Sequence, residues 1–175
     1  MKQRATNELR NLRTLADFSN LETAEQADYF RHNYREFLPE EFWRPGVLLA
    51  GKRGPSDWRY LQSGVRAAWR EKFPPDACLS LIVFLAISPE QIEGSESVKV
   101  WPYQKAIMTL ATEPWRARFC KSCGNRYVAD KPGRVFCSDS CAKEARKLSK
   151  RISWTKHRDE WRGSKKRQRG RRQAQ

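Results

Sequence analysis

Histidine is scarce in this chain, which has only His32 and His157, and methionine occurs just twice. Long apolar runs are missing as well. The longest, Leu79 to Ile87, is broken by Ser80 and falls far short of the roughly 20 residues that a bilayer-crossing helix requires. The opening residues, Met-Lys-Gln-Arg-Ala-Thr-Asn-Glu, carry no apolar segment behind their charges, so no secretory leader is expected. Together these absences lead to the expectation of a cytoplasmic protein with no membrane partner. Gly51-Lys-Arg-Gly54 lacks both the Gly-x4-Gly-Lys-Ser/Thr spacing and the leading strand of a phosphate-binding loop, which argues against nucleotide binding. No nucleophile–base pair stands out. The acids Glu40-Glu41 and Glu90, Glu93 and Glu96 read as a helix end and a solvated loop, so the chain is not expected to be an enzyme.

Acid is scarce in one region only. Residues 1–115 hold 15 Lys/Arg and 15 Asp/Glu, whereas residues 116–175 hold 20 Lys/Arg against 5 Asp/Glu. The whole net charge of +15 therefore lies on the last third of the chain. A basic module joined to a neutral one is the footprint of a polyanion-binding protein, and the charge belongs to that module rather than to the whole molecule.

Four of the five cysteines fall together at the border between these regions: Cys120-Lys-Ser-Cys123, thirteen residues, then Cys137-Ser-Asp-Ser-Cys141. Two tight thiol pairs at this separation suit one tetrahedral metal ion, and a single structural Zn2+ held by Cys120, Cys123, Cys137 and Cys141 is the expectation. Four thiolates leave no open coordination position, which disfavours a catalytic zinc. Rubredoxin-like iron and a redox disulfide remain as alternatives. A histidine-metal nuclease of similar shape needs a His beside the second strand, and none stands there. Gly124 permits a left-handed turn out of the knuckle. Tyr127-Val128 and Val135-Phe136 are expected to form two short strands around the turn Asp130-Lys-Pro-Gly133. Ser138-Asp139 then start a helix that carries Cys137 and Cys141 on one side.

Upstream, three- and four-residue spacings predict a helix over residues 7–18 and a second that follows a Thr23/Gln26 capping box and runs to Pro39. A short strand is expected at Val47–Ala50. A third helix, capped by Ser56, keeps Trp58, Leu61, Val65, Ala68 and Trp69 on one face and closes at Pro74-Pro75. Asp76 to Ile87 reads as a buried helix with Cys78 in the core, residues 88–100 as a polar loop, and Pro102 as the first turn of a helix that Pro114 stops. Downstream of the cysteines, Ala142, Ala145, Leu148 and Ile152 form a narrow apolar stripe on a helix dense in cations. Trp154, His157 and Trp161 occupy a second face, expected to pack on the upstream domain ahead of stacking on bases. Lys143, Arg146, Lys147, Lys150, Arg151, Lys156 and Arg158 are the candidate phosphate contacts, with Arg126 and Arg134 behind them.

The resulting fold class is mainly α, with a helical N-terminal domain (1–113) that senses or dimerises and a small treble-clef-like finger with a basic helix (114–163). A tail (164–175) has nothing apolar to bury and is expected to lack structure. Nucleic acid is the expected partner, DNA ahead of RNA, at the nucleoid. An RNA- or ribosome-associated module and a protein-interaction scaffold are the alternatives.

Several of these residues also carry a family likeness. Trp101-Pro102 at a helix start, Arg116 and Arg118 before the first pair, Tyr127 four residues past Cys123, Phe136 before Cys137, Ser138 after it and the basic helix beyond Cys141 together resemble the CGNR-type zinc finger proteins of bacteria. The likeness spans roughly residues 101–158. It implies a four-cysteine zinc site, DNA binding and a role in transcriptional regulation. Gly124-Asn125-Arg126 departs from the family pattern by following the second cysteine instead of the fourth, and the second cysteine pair is one residue tighter than usual.

Overall fold

The computed structural model describes residues 2–43, 57–83 and 100–173. Within them the chain is mainly helical and carries one small two-stranded hairpin beside a cysteine cluster. Helix α1 (Lys2–Asn20) is longer than its leucine spacing predicts, and it buries Leu12, Leu15, Ala16 and Phe18. Helix α2 (Ala24–Asn33) starts at the expected capping box. The Gln26 N–H donates to Thr23 Oγ1, and the Thr23 N–H donates back to Gln26 Oε1. It ends at Asn33, before the expected Pro39, because Tyr34 leaves helical geometry (φ −127°) and residues 34–38 turn to bury Phe37 and Leu38. Phe30 sits at the centre of an aromatic group, with ring centroids 5.6 Å from Phe18, 4.8 Å from Tyr34 and 5.9 Å from Phe37.

Helix α3 (Asp57–Arg70) buries the face read from its spacing, namely Trp58, Leu61, Val65, Ala68 and Trp69. It ends in a tight reversal in which Lys72 and Phe73 both take left-handed backbone (φ 60° and 54°). That conformation costs energy without glycine, and it is held because Phe73 is fully buried, edge-on to Trp69, with its N–H bonded to Ala68 O at 2.7 Å. Helix α4 (Pro75–Val83) buries Cys78 as expected. It approaches α3 closely at Gly64, where an added Cβ would lie 2.6 Å from Leu81 Cδ2. The expected strand at 47–50, the Gly51–Gly54 loop, the Ser56 cap, the end of the helix at 84–87 and the polar loop to residue 99 lie outside the described residues. Helix α5 (Pro102–Thr112) starts on Pro102 as predicted, packs against α1 and α4, and buries Tyr103, Ala106, Ile107 and Leu110.

The hairpin pairs β1 (Ala117–Phe119) with β2 (Arg126–Val128), antiparallel, with Arg118 opposite Tyr127. The expected strand at Val135-Phe136 is not one, since the second partner is β1, ahead of the knuckle. The hairpin therefore encloses Cys120 and Cys123 at its tip. Ala117 and Val128 belong to the main helical core, while Cys120, Tyr127 and Ala129 form a second, smaller core with Trp115 and Phe136 against it. Helix α6 (Asp139–Gln173, 35 residues) then leaves the cluster. It continues through residues 164–173, where the composition led to the expectation of no structure. Arg, Lys and Gln are good helix formers, and a helix already nucleated at the cluster needs no core to propagate. No described helix is long and apolar enough to cross a membrane.

Candidate metal centre and the basic helix it anchors

Two local turns bring the four thiols together. In the knuckle, the Gly124 N–H donates to Cys120 O and the Cys120 N–H to Asn125 O, both at 2.9 Å. This tight reversal requires the left-handed backbone that Gly124 supplies (φ +77°). At the other pair, Ser138 caps α6: its Oγ accepts from the Cys141 N–H at 3.3 Å, placing Cys141 in the first turn directly after Cys137. Lys121 N–H to Val135 O (3.2 Å) ties the two halves across the site. Arg134 fastens the connecting loop, donating to Phe136 O and Cys137 O at 3.0 Å and pairing with Asp130. The Tyr127 hydroxyl closes the same loop by donating to Arg134 O at 2.7 Å.

The four sulfur atoms lie within 4.8 Å of one another, with Cys123–Cys137 at 3.7 Å and Cys137–Cys141 at 3.5 Å. A tetrahedron with Zn–S bonds of about 2.3 Å has S–S edges of about 3.8 Å, so the cluster has the size and donor set for a metal ion such as zinc. Its electrostatics point the same way. At Cys120 burial works against the thiolate, but N–H groups around it, including that of Cys137, outweigh burial and lower its pKa. At Cys137 burial and then the neighbouring thiols raise the pKa. Four thiolates this close need a cation to coexist.

Helix α6 takes the site's charge outward. At 100° per residue, Lys143, Arg146, Lys147, Lys150, Arg151 and Arg158 fall in one sector of about 140°. All six are exposed, and the first five make no ion pair within the described residues. Trp154 stands in the middle of this sector and is 44% exposed, where packing on the upstream domain is the sequence expectation. Lys156 lies on the opposite side, with Leu148 and Ile152, beside a shallow groove that Lys121 and Ser122 also line. The helix therefore collects six of the seven expected cations on one face and sets the seventh apart.

Arg126 and Arg134 have other occupations. Arg134 serves the metal loop as described. Arg126 docks the hairpin on the helical domain: its backbone N–H and C=O pair with the side-chain amide of Asn20 (3.0 and 2.8 Å), and its guanidinium donates to Ser19 O (3.3 Å). Trp69 Nε1 donates to Arg118 O from the other side (3.1 Å). The role of Asn20 and the indole bond of Trp69 escaped sequence reasoning, because their partners are 106 and 49 residues away and no spacing links them. Comparisons of the chain with protein-family models, with curated proteins and with solved structures found no match.

Proposed function

We propose that this chain is a zinc-stabilised nucleic-acid-binding protein whose partner is duplex DNA and whose role is regulatory, at the nucleoid. The observation that carries this reading is the exposed cationic face of α6, which starts at the cysteine cluster and on which Lys143, Arg146, Lys147, Lys150 and Arg151 make no ion pair within the described residues. The metal fixes the first turn and so the direction of the helix. Lys143, Arg146, Lys147, Lys150, Arg151 and Arg158 then present their charges to phosphates along one line, while Lys156 takes no part. The likeness of residues 101–158 to CGNR-type finger proteins supports the same assignment. Six phosphate contacts correspond to a slope of log K against log salt of about −5 on duplex DNA. Filter binding between about 50 and 300 mM salt measures it, and an affinity unchanged over that range would sink the proposal.

A second reading draws on Trp154. An exposed indole among cations is suited to stacking on an unpaired base, as in recognition of structured RNA. Competition between a duplex and a structured RNA separates the two. Trp154→Ala leaves duplex binding nearly intact if phosphates dominate, and cripples RNA binding if stacking does.

A further inference from the structure

A second cationic site, built from residues outside α6, lies at the seam between the helical domain and the hairpin. Arg66 on α3 donates from Nε to Ser19 O (2.8 Å) and from a terminal nitrogen to Leu21 O (2.6 Å). Arg126 on β2 donates to the same Ser19 carbonyl, so a single oxygen bridges two guanidinium groups. Arg70 stands one helical turn beyond Arg66 on the same side of α3, next to Trp69, whose indole binds the hairpin backbone. Phe119, 43% exposed, lies beneath the Arg126 guanidinium at 5.6 Å.

Part of this arrangement is explained by capping. The C-terminal carbonyls of α1 carry partial negative charge, and Arg66 and Arg126 satisfy them. Capping does not account for Arg70, which is exposed and makes no internal hydrogen bond or ion pair within the described residues. Nor does it supply a counter-charge, because no carboxylate among the described residues lies within ion-pair distance of any of the three. Arg126 also keeps a buried Nε with no acceptor, and burial, then the charges of Arg66 and Arg70, hold its pKa below the ordinary arginine value. Three guanidinium groups gathered without an acid form a cradle for an oxyanion, and planar forks match phosphate oxygens in pairs.

We infer that Arg66, Arg70 and Arg126 form a phosphate-binding site at the seam between the helical domain and the finger. Arg66 and Arg126 are held in place by the α1 carbonyls, and Arg70 is the free arm. The phosphate comes either from a nucleic-acid backbone, which rests on the function proposed above, or from a free phosphorylated molecule.

The test uses the full-length zinc-loaded protein and Arg70→Gln, a change at an exposed residue with no internal bond. In one arm inorganic phosphate replaces chloride at constant ionic strength while the melting temperature is followed. In the other, duplex affinity is measured against salt. If the phosphate is free, phosphate raises the melting temperature of the wild-type protein and not that of Arg70→Gln. If it belongs to a backbone, Arg70→Gln weakens duplex binding and makes the salt slope shallower by about 1. A melting temperature indifferent to phosphate, with a slope unchanged in Arg70→Gln, overturns the site. Lys147→Gln/Lys150→Gln, run alongside, keeps the two proposals apart. Loss of duplex binding there with no effect of Arg70→Gln in either arm leaves the α6 reading standing and removes the seam site. Phosphate stabilisation through Arg70 without any duplex binding does the reverse.

Discussion

In the helical half, Leu12, Leu15, Phe18, Leu61, Val65, Trp69, Tyr103, Ile107 and Leu110 are each 2% exposed or less, whereas on α6 Leu148 and Ile152 are 59% and 60% exposed. One region is organised by burial and the other by a few sulfur atoms and helix propensity. The difference shows what each can tolerate. A buried core resists changes of charge on its surface but not loss of volume inside. The finger has almost no volume to lose, and its order depends on its ligands. The hairpin joins the two, with Ala117 and Val128 in the main core and Cys120 and Tyr127 in the small one.

The largest expected effect is on the metal side. Chelation, or Cys123→Ser, removes a contribution on the order of 10 kcal/mol from the finger. The expected outcome is loss of amide protection over residues 117–145 with retention in α3 and α5, checked by hydrogen exchange. Because binding needs deprotonated thiols, the metal is held at neutral pH and released as pH falls and protons compete, which a zinc indicator dye will report. Next comes Trp69→Ala, which removes a fully buried indole together with its bond to Arg118 O and costs about 3–5 kcal/mol in urea unfolding. A much smaller loss there would show that the core relaxes around the site. Asn20→Ala breaks the amide pair with Arg126 and costs about 1–3 kcal/mol. It acts on the joint itself, so hydrogen exchange in the hairpin rises more than in α1. Smallest is Ile152→Ser, within about 0.5 kcal/mol, since that side chain leaves water hardly at all. A large destabilisation by Ile152→Ser would mean that α6 is covered in solution, and the contrast between the two regions would collapse.

Much of this was legible in residue spacing. The clustering of four cysteines followed from two short Cys pairs, the start of α2 from Thr23 and Gln26, the buried face of α3 from its apolar steps, and the cation-dense helix from the run beyond Cys141. What escaped depends on distance along the chain or on competition between local choices. Val135-Phe136 has strand-forming residues, but Arg134 folds back on Phe136 O and Cys137 O, and the pairing edge is taken by β1, three residues too short to announce themselves. Tyr34 to Leu38 continue a helical spacing, yet helical geometry is disfavoured just before Pro39, and burial of Phe37 and Leu38 is reached by a turn. Arg126 counted as one more cation in the sequence, and only its pairing with Asn20 reveals it as part of the joint.

The 35 residues of α6 make a rod about 52 Å long at 1.5 Å per residue. Mechanically it is a cantilever whose clamp is four sulfur atoms at one end. A tilt of about 10° at the clamp swings the free end through about 9 Å, several helical rises. Whatever meets the far end of the rod thus acts on the cysteine cluster with a long moment arm, and a metal ion held by the four thiols would set how far that end can wander.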